Sequence, residues 1–334
     1  MNHPPSVLIL GARGRFGRAA TQAFASAGWT VLAQRRSPRA VSGAVHPLIR
    51  WVDLDVEDTA ALAAQARGVS VVIHAMNAAY TNAAWRTEAP GQMRAAIAVA
   101  KVLDALLTFP GNVYNFGATM PGVLREDTPQ RPSNAKGEVR VGLEQQLEEA
   151  AQAHGLVSAV IRAGDFFGSG TGSLFDRVLV PKIAKGRMGY PAALHIPTAW
   201  AYLPDLAQTF VRVAQRREVL RGAQTFHFRG YQLTGQDWLD AITPVARARG
   251  WLAEDAQLKV DALPWPLLRV LGVVMPTMQS LVETRYVWNT PHALDNSRLQ
   301  ALIGTEPHTP LAQAVQQALA DLLTDTQEPA LRSA

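Results

Sequence analysis

The sequence contains no cysteine. That excludes a disulfide framework, thiolate chemistry and zinc held by sulfur. Its His, Asp and Glu residues show no metal-ligand spacing either, so no metal is expected. No apolar run is long and clean enough to span a bilayer, and no integral membrane segment is expected. The polar start, Met1 to Pro5, runs straight into an apolar stretch, unlike a secretory signal, and the expected compartment is the cytoplasm. Lysine is scarce. Of 32 Lys and Arg residues only Lys101, Lys136, Lys182, Lys185 and Lys259 are lysines, and the arginines are scattered. A nucleic-acid binder gathers its cations into a patch or stripe, so no nucleic-acid partner is expected. The net charge of +5 favours a small anionic ligand.

What is present is apolar: 48% of 334 residues, enough for one large domain or two ordinary ones. Val7-Leu8-Ile9-Leu10 reads as a short buried strand. The turn Gly11-Ala12-Arg13-Gly14-Arg15-Phe16-Gly17 follows, and then an amphipathic helix (Ala19, Ala20, Ala23, Phe24, Ala27) that stops at Gly28. Each glycine has a physical reason. Gly11 turns the chain off the strand, Gly14 leaves the backbone open to a pyrophosphate, and Gly17 lets helix and strand pack closely. The N–H groups at the helix start then face the phosphates. The stretch Gly11, Arg13, Gly14, Arg15, Phe16 and Gly17 is therefore assigned to cofactor binding.

Strand and helix patterns keep alternating. Strands are expected at 29–33, 49–52, 69–75, 112–116 and 157–162. Helices are expected at 59–66, at 91–109 opened by Pro90, and at 136–153. That alternation implies an α/β fold with a parallel, doubly wound Rossmann-type sheet covered on both faces. Residues 1–165 form the expected dinucleotide-binding domain, with 200–230 returning to it. Residues 166–199 and 231–325 form a smaller, mostly C-terminal substrate domain. The apolar stretch Leu263 to Glu283, interrupted by Pro264, Pro266, Arg269 and Pro276, reads as a kinked helix over the substrate side. A membrane-surface role is its alternative.

At the end of the second strand of such a sheet, an acid binds the adenosine 2′-hydroxyl and an arginine a 2′-phosphate. Here stand Arg35 and Arg36, which favours NADP, with NAD as the alternative. Asp53 and Leu54, at the end of the third strand, are placed near the adenine. Ala75, Met76 and Asn77, after the fourth, are placed near the nicotinamide ribose.

The glycine turn, Val72-Ile73-His74-Ala75, Val160-Ile161-Arg162-Ala163-Gly164-Asp165-Phe166-Phe167-Gly168 and Tyr202-Leu203-Pro204-Asp205-Leu206-Ala207 together resemble the extended short-chain dehydrogenase/reductases, the NAD-dependent epimerase/dehydratase family. The resemblance implies a Tyr-x-x-x-Lys pair on the helix after the fifth strand and a Ser or Thr after that strand. The tyrosine moves the proton, and the lysine lowers its pKa and holds the ribose. This chain departs from the pattern. None of Tyr80, Tyr114, Tyr190, Tyr202, Tyr231 and Tyr286 has a lysine four residues on. Lys136 stands where the tyrosine belongs and Arg140 where the lysine belongs. Gly117 replaces the serine, leaving Thr119 as the nearest hydroxyl.

Arg140 can hold a ribose but stays charged. Lys136 is the candidate acid, its pKa expected to fall through burial and Arg140. Tyr80 and Thr119 are the further candidates. The expected function is a nicotinamide-dependent oxidoreductase or epimerase/dehydratase-like enzyme acting on a small carbonyl or hydroxyl compound. The alternative is a non-catalytic NADP-binding sensor. A homodimer through the helices 91–109 and 136–153 is the expected assembly, with Ala95, Ala96, Ala100, Leu103 and Leu107 suited to close packing.

Overall fold

The computed structural model describes residues 4–36 and 46–326. In chain order the first half runs β1 (Ser6–Leu10), α1 (Arg15–Ser26), β2 (Thr30–Arg35), β3 (Ile49–Asp53), α2 (Thr59–Gln65), β4 (Val71–His74), α3 (Asn82–Leu103), β5 (Leu106–Gly111), β6 (Val123–Leu124), α4 (Ala135–His154) and β7 (Ser158–Arg162). The second half runs β8 (Asp165–Phe167), β9 (Arg187–Tyr190), β10 (Thr198–Tyr202), α5 (Leu203–Gln215), β11 (Ala223–His227), β12 (Tyr231–Leu233), α6 (Gly235–Ala248), β13 (Lys259–Ala262), α7 (Trp265–Gly272), α8 (Pro276–Glu283), α9 (Tyr286–Asn289), β14 (Ala293–Leu294), α10 (Ser297–Ile303) and α11 (Leu311–Thr326).

Seven strands form one sheet in the order β11-β7-β5-β4-β1-β2-β3, every neighbouring pair parallel. Strands β1, β4, β5 and β7 are buried along nearly their whole length, as a sheet covered on both faces requires. One core joins the sheet to α1, α5 and α10, and a second joins it to α2, α3 and α4. The strand order reverses between β1 and β4, and in open α/β sheets ligands bind outside the strand ends at such a point. A smaller sheet, β12-β10-β8, packs with α6 and α11 around Phe167, Trp200 and Trp238. A fourth cluster, with Trp85, Tyr114, Trp265 and Trp288, lies where α7–α9 meet the first half of the chain.

Local caps explain the boundaries. Asp58, Thr81 and Asn134 accept N–H bonds from Ala61, Ala84 and Gly137 at the starts of α2, α3 and α4, and Gly155 ends α4 in the left-handed conformation. Two boundaries differ from the sequence reading. Helix α3 starts eight residues before Pro90 at the Thr81 cap, carries Pro90 inside it, and ends at Asp104, whose φ of 50° closes it. The fifth strand is Leu106–Gly111, while Tyr114–Phe116 is a 3-10 turn. The apolar residues of α3 and β5 follow one another across a short turn, so their patterns merge. Leu107 therefore lies in β5 rather than on a helix. Ala95, Ala96 and Ala100 are buried in the chain's own core, so they are not a free packing face. The stretch from Leu263 is two helices: Trp265 packs inward, while Leu267, Val270, Val273 and Val274 are exposed. No helix among the described residues is long and apolar enough to cross a membrane.

Candidate active site

The turn after β1 admits only glycine at two positions, Gly11 and Gly17. Gly11 has φ +77°, and a Cβ there would meet Met76 Cγ at 2.8 Å. A Cβ on Gly17 would fall 2.3 Å from the Gly11 carbonyl oxygen, so side-chain-free packing is obligatory. Gly14 is the N-cap of α1. Having no side chain, it can cap nothing, and no acidic residue occupies the first turn. The start of a twelve-residue helix thus points N–H donors at the switch point with no side chain satisfying them, which suits a pyrophosphate. These residues fit a nicotinamide dinucleotide. Gln34, a polar residue 3% exposed in β2, stitches the turn in place. Its Oε1 accepts from the Gly11 N–H at 2.9 Å, and its Nε2 donates to the Leu54 carbonyl at 2.6 Å. A polar residue directly following the apolar run Val31-Leu32-Ala33 was its signal in the sequence.

At the adenosine end, Arg35 and Asp53, opposite each other in the β2–β3 register, form a two-pronged ion pair: Nε to Oδ1, and Nη2 to Oδ2 at 3.2 Å. The guanidinium lies 4.9 Å from the centre of the Trp51 ring. Hydrogen bonding to Arg35 holds the Asp53 carboxyl below its usual range. Asp53 is therefore engaged by Arg35 rather than turned free to an adenine, and Leu54 contributes its backbone to Arg35 and Gln34. Arg13 and Arg36 are exposed, with Arg36 Nε 3.5 Å from Asp55. Ser37 and Pro38, the expected close of this strand, lie outside the described residues. Arg15 points away from the turn. Its Nη2 donates to the carbonyls of Phe166 at 3.4 Å and Gly168 at 3.0 Å, tying the turn to the second glycine-rich loop. Burial lowers its pKa to about 10. Phe16 packs on Phe210 of α5 with ring centres 4.7 Å apart.

Past β4, Met76 closes on Gly11, and His74 and Asn77 line a cavity of about 10 Å³ with Trp85, Phe109 and Arg140, room for one water. Ala75 is buried beside it. Arg140 projects from α4, donates from Nη1 to the Pro110 carbonyl at 3.0 Å, and stacks with Trp85 and Phe109, each ring centre 5.0 Å away. Among the described residues its Nε has no partner, nor has either ring nitrogen of His74. Burial drives the His74 pKa down to about 3.

Lys136, one turn earlier on α4, is 1% exposed. Its Nζ donates to Asn82 Oδ1 at 2.8 Å and to Ser280 Oγ at 2.7 Å, and lies 4.6 Å from the centre of the Tyr80 ring. Burial lowers its pKa to about 8, against the pull of Glu283 and with help from Arg86. Arg140, expected to be the cause, is not among the causes; its charge is held against Trp85 and Phe109 instead. The end of α8 latches onto the same corner: Asn82 donates to Glu283 at 2.7 Å, Asn134 donates to the Glu283 carbonyl at 3.2 Å, and the Tyr80 hydroxyl lies 3.1 Å from Thr284 and 3.5 Å from the Tyr114 hydroxyl. Burial raises the Tyr80 pKa. A Cβ at Gly117 (φ +68°) would meet the Arg131 carbonyl oxygen at 2.1 Å, so this turn has no room for the family's serine. Thr119 is exposed on the following turn and is not brought to Lys136.

One group escaped the sequence reading. Asp165, first residue of β8, accepts from Trp288 Nε1 at 2.5 Å, and burial raises its pKa to about 6 against that bond. Asn82, Ser280, Glu283 and Trp288 escaped it too. They come from segments about 200 residues apart with no spacing to announce them. Among the described residues, no group of three His, Asp or Glu side chains stands close enough to hold a metal.

The model of the family described as NAD dependent epimerase/dehydratase matches residues 7–226. The chain belongs to that family. Solved structures similar to this member include the Bordetella bronchiseptica enzyme WbmH in complex with NAD+ (18% identity, TM-score 0.70, covering 96% of this chain and 98% of that one). Others are UDP-glucose 4-epimerase from Brucella ovis with NAD (16%, 0.71, 95% and 98%) and UDP-glucuronic acid 4-epimerase from Bacillus cereus with NAD (13%, 0.73, 96% and 99%). At these identities the likeness is one of fold. No curated protein sequence matches the chain.

Proposed function

We propose that this family member is a nicotinamide-dependent oxidoreductase of the epimerase/dehydratase type, acting on a small carbonyl or hydroxyl compound. The observation that carries the reading is the uncapped start of α1 at the β1/β4 switch point, with Lys136 brought to the same end of the sheet by α4. The turn Gly11–Gly17 would hold the pyrophosphate, and Ala75, Met76, Asn77 and Arg140 would flank the ribose. Arg13 and Arg36, beside the Arg35–Asp53 pair, favour a 2′-phosphate and hence NADP over NAD. A nicotinamide bound there would supply the hydride chemistry. Lys136, protonated at neutral pH, donates a hydrogen bond to the substrate carbonyl oxygen and polarises it, that oxygen taking the place of Ser280 Oγ at Nζ. Asn82 orients the ammonium, and Tyr80 lies under it. Thr119 takes no part.

A second reading is favoured by the sealing of Lys136 under α8: an NADP-binding sensor without turnover. Titration calorimetry with NADPH and NADH, followed by a panel of small aldehydes and ketones, separates the two. The oxidoreductase reading expects tighter NADPH and reduction of at least one carbonyl compound. No heat with either cofactor contradicts both readings. Binding without any turnover leaves the sensor.

A further inference from the structure

We propose that Asp165 is the general base of this site, the partner of opposite resting state to Lys136, taking the proton from a substrate hydroxyl whose carbon is being oxidised. The inference rests on the oxidoreductase reading above. It is carried by placement. Asp165 follows β7 directly at the C-terminal edge of the main sheet, three residues past Arg162. Only its Oδ2 is held, by Trp288 Nε1 at 2.5 Å. Oδ1 accepts no bond among the described residues, and it is not one of the sealed, unpartnered atoms of the interior. Among the described residues no ion pair neutralises the carboxylate there.

Four phenols feel its charge from four different segments: Tyr80 before α3, Tyr114 after β5, Tyr190 on β9 and Tyr286 on α9. A carboxylate committed only to structure would be expected to use both oxygens on partners, as Glu144 does with Arg162, Asn115 and Gln130. Asp165 instead keeps one oxygen for something the chain does not supply. Burial then matches its proton affinity to the task. At neutral pH Asp165 is mostly ionised, ready to take a proton, and Lys136 mostly protonated, ready to hold a developing oxyanion.

The step balances. Asp165 Oδ1 accepts the hydroxyl proton as the O–H bond breaks. The oxygen's electron pair forms the carbonyl π bond, and the C–H bonding pair leaves as hydride to the oxidised nicotinamide. Asp165 ends neutral and returns its proton to water. The substrate class that follows is a secondary alcohol or polyol rather than one already at the carbonyl level only.

The test uses the full chain and Asp165→Asn, whose amide oxygen can still accept from Trp288. Carboxyl infrared spectra of the cofactor-free proteins, taken from about pH 4 to about pH 8, should show one carboxyl titrating near 6 in the wild type and missing from the variant. A carboxyl in the ordinary range overturns the proposal. With NADP and a panel of small secondary alcohols, Asp165→Asn should bind cofactor within a few-fold of wild type, lose about 10²–10⁴-fold in kcat, and lose the acid limb of the pH profile. Lys136→Met should keep that limb and lose the alkaline one. A variant that retains rate and acid limb overturns the base role, as does a wild type that binds NADP and oxidises none of the alcohols. A wild type that binds no nicotinamide cofactor instead brings down the oxidoreductase reading itself, and the base role falls with it.

Discussion

The two halves of the candidate site are built on opposite principles. At the glycine turn the chain withholds side chains: Gly11, Gly14 and Gly17 keep the backbone bare, and the helix start goes uncapped. At the α4–α8 corner the chain supplies partners in excess. Lys136 has two hydrogen bonds and aromatic faces, Arg140 is stacked between two rings, and α8 closes the top through Ser280, Glu283 and Thr284. The first half is ready for an anion as it stands. The second must give up a hydrogen bond before a substrate oxygen reaches Nζ. Binding and chemistry are therefore separable here, and substitutions should separate them.

The largest expected effect is on the corner. Lys136→Met should cost carbonyl reduction about 10²–10⁴-fold while leaving NADPH affinity within a few-fold, read by steady-state kinetics beside calorimetry. A second buried cation sharpens the contrast. Arg162, 2% exposed, meets Glu144 at 2.5 Å. Glu144→Ala should strand that charge and cost about 3–5 kcal/mol of stability in denaturant unfolding, with the rate per folded molecule unchanged.

Asp165 should show the cost of keeping a base. Its folded pKa, about 6, is raised above the ordinary value of 3.8, so between those values the native state binds more protons than the unfolded chain. Stability therefore falls as pH rises through that window, and the loss is complete above it. Asp165→Asn should be more stable than wild type at neutral pH by about 1–3 kcal/mol, with the gain vanishing near pH 4 in parallel denaturant melts. At the adenosine end the effect is smaller and confined to preference. Arg13→Ala with Arg36→Ala should narrow the NADPH-over-NADH ratio about ten- to a hundred-fold in paired titrations, leaving NADH affinity nearly untouched.

The same contrast explains what the sequence made legible. The glycine turn is written in consecutive residues, because backbone room and positive φ are local demands: the reasons for Gly11 and Gly17 are legible in the sequence itself. The parallel sheet followed from the alternation of apolar strands and helices. The helix–strand junction at 103–106 did not, because Asp104, an uncommon left-handed non-glycine residue, makes a turn too short to interrupt the apolar pattern. Lys136 was found by register on α4, but its environment was not. Asn82, Ser280 and Glu283 reach it from segments that only tertiary packing brings together, and the Arg35–Asp53 pair depends on a β2–β3 register that no motif spells out. Asp165 lies inside a stretch quoted for the fold, with nothing in its spacing to mark the carboxyl as half-committed.

The most direct test of the central claim is the affinity of the bare helix start for NADPH. Gly14 has φ −63° and ψ 162°, a backbone that any residue can adopt, and a Cβ there would lie 3.3 Å from the Gly11 carbonyl oxygen. Gly14→Val should therefore fold, with a melting temperature close to wild type, while its branched side chain takes the pyrophosphate's place. Calorimetric titration is expected to give measurable NADPH binding for the wild type and a loss of at least about 100-fold, some 2.7 kcal/mol, for a well-folded Gly14→Val. Unchanged affinity in that variant, or no binding by the wild type, would contradict the account.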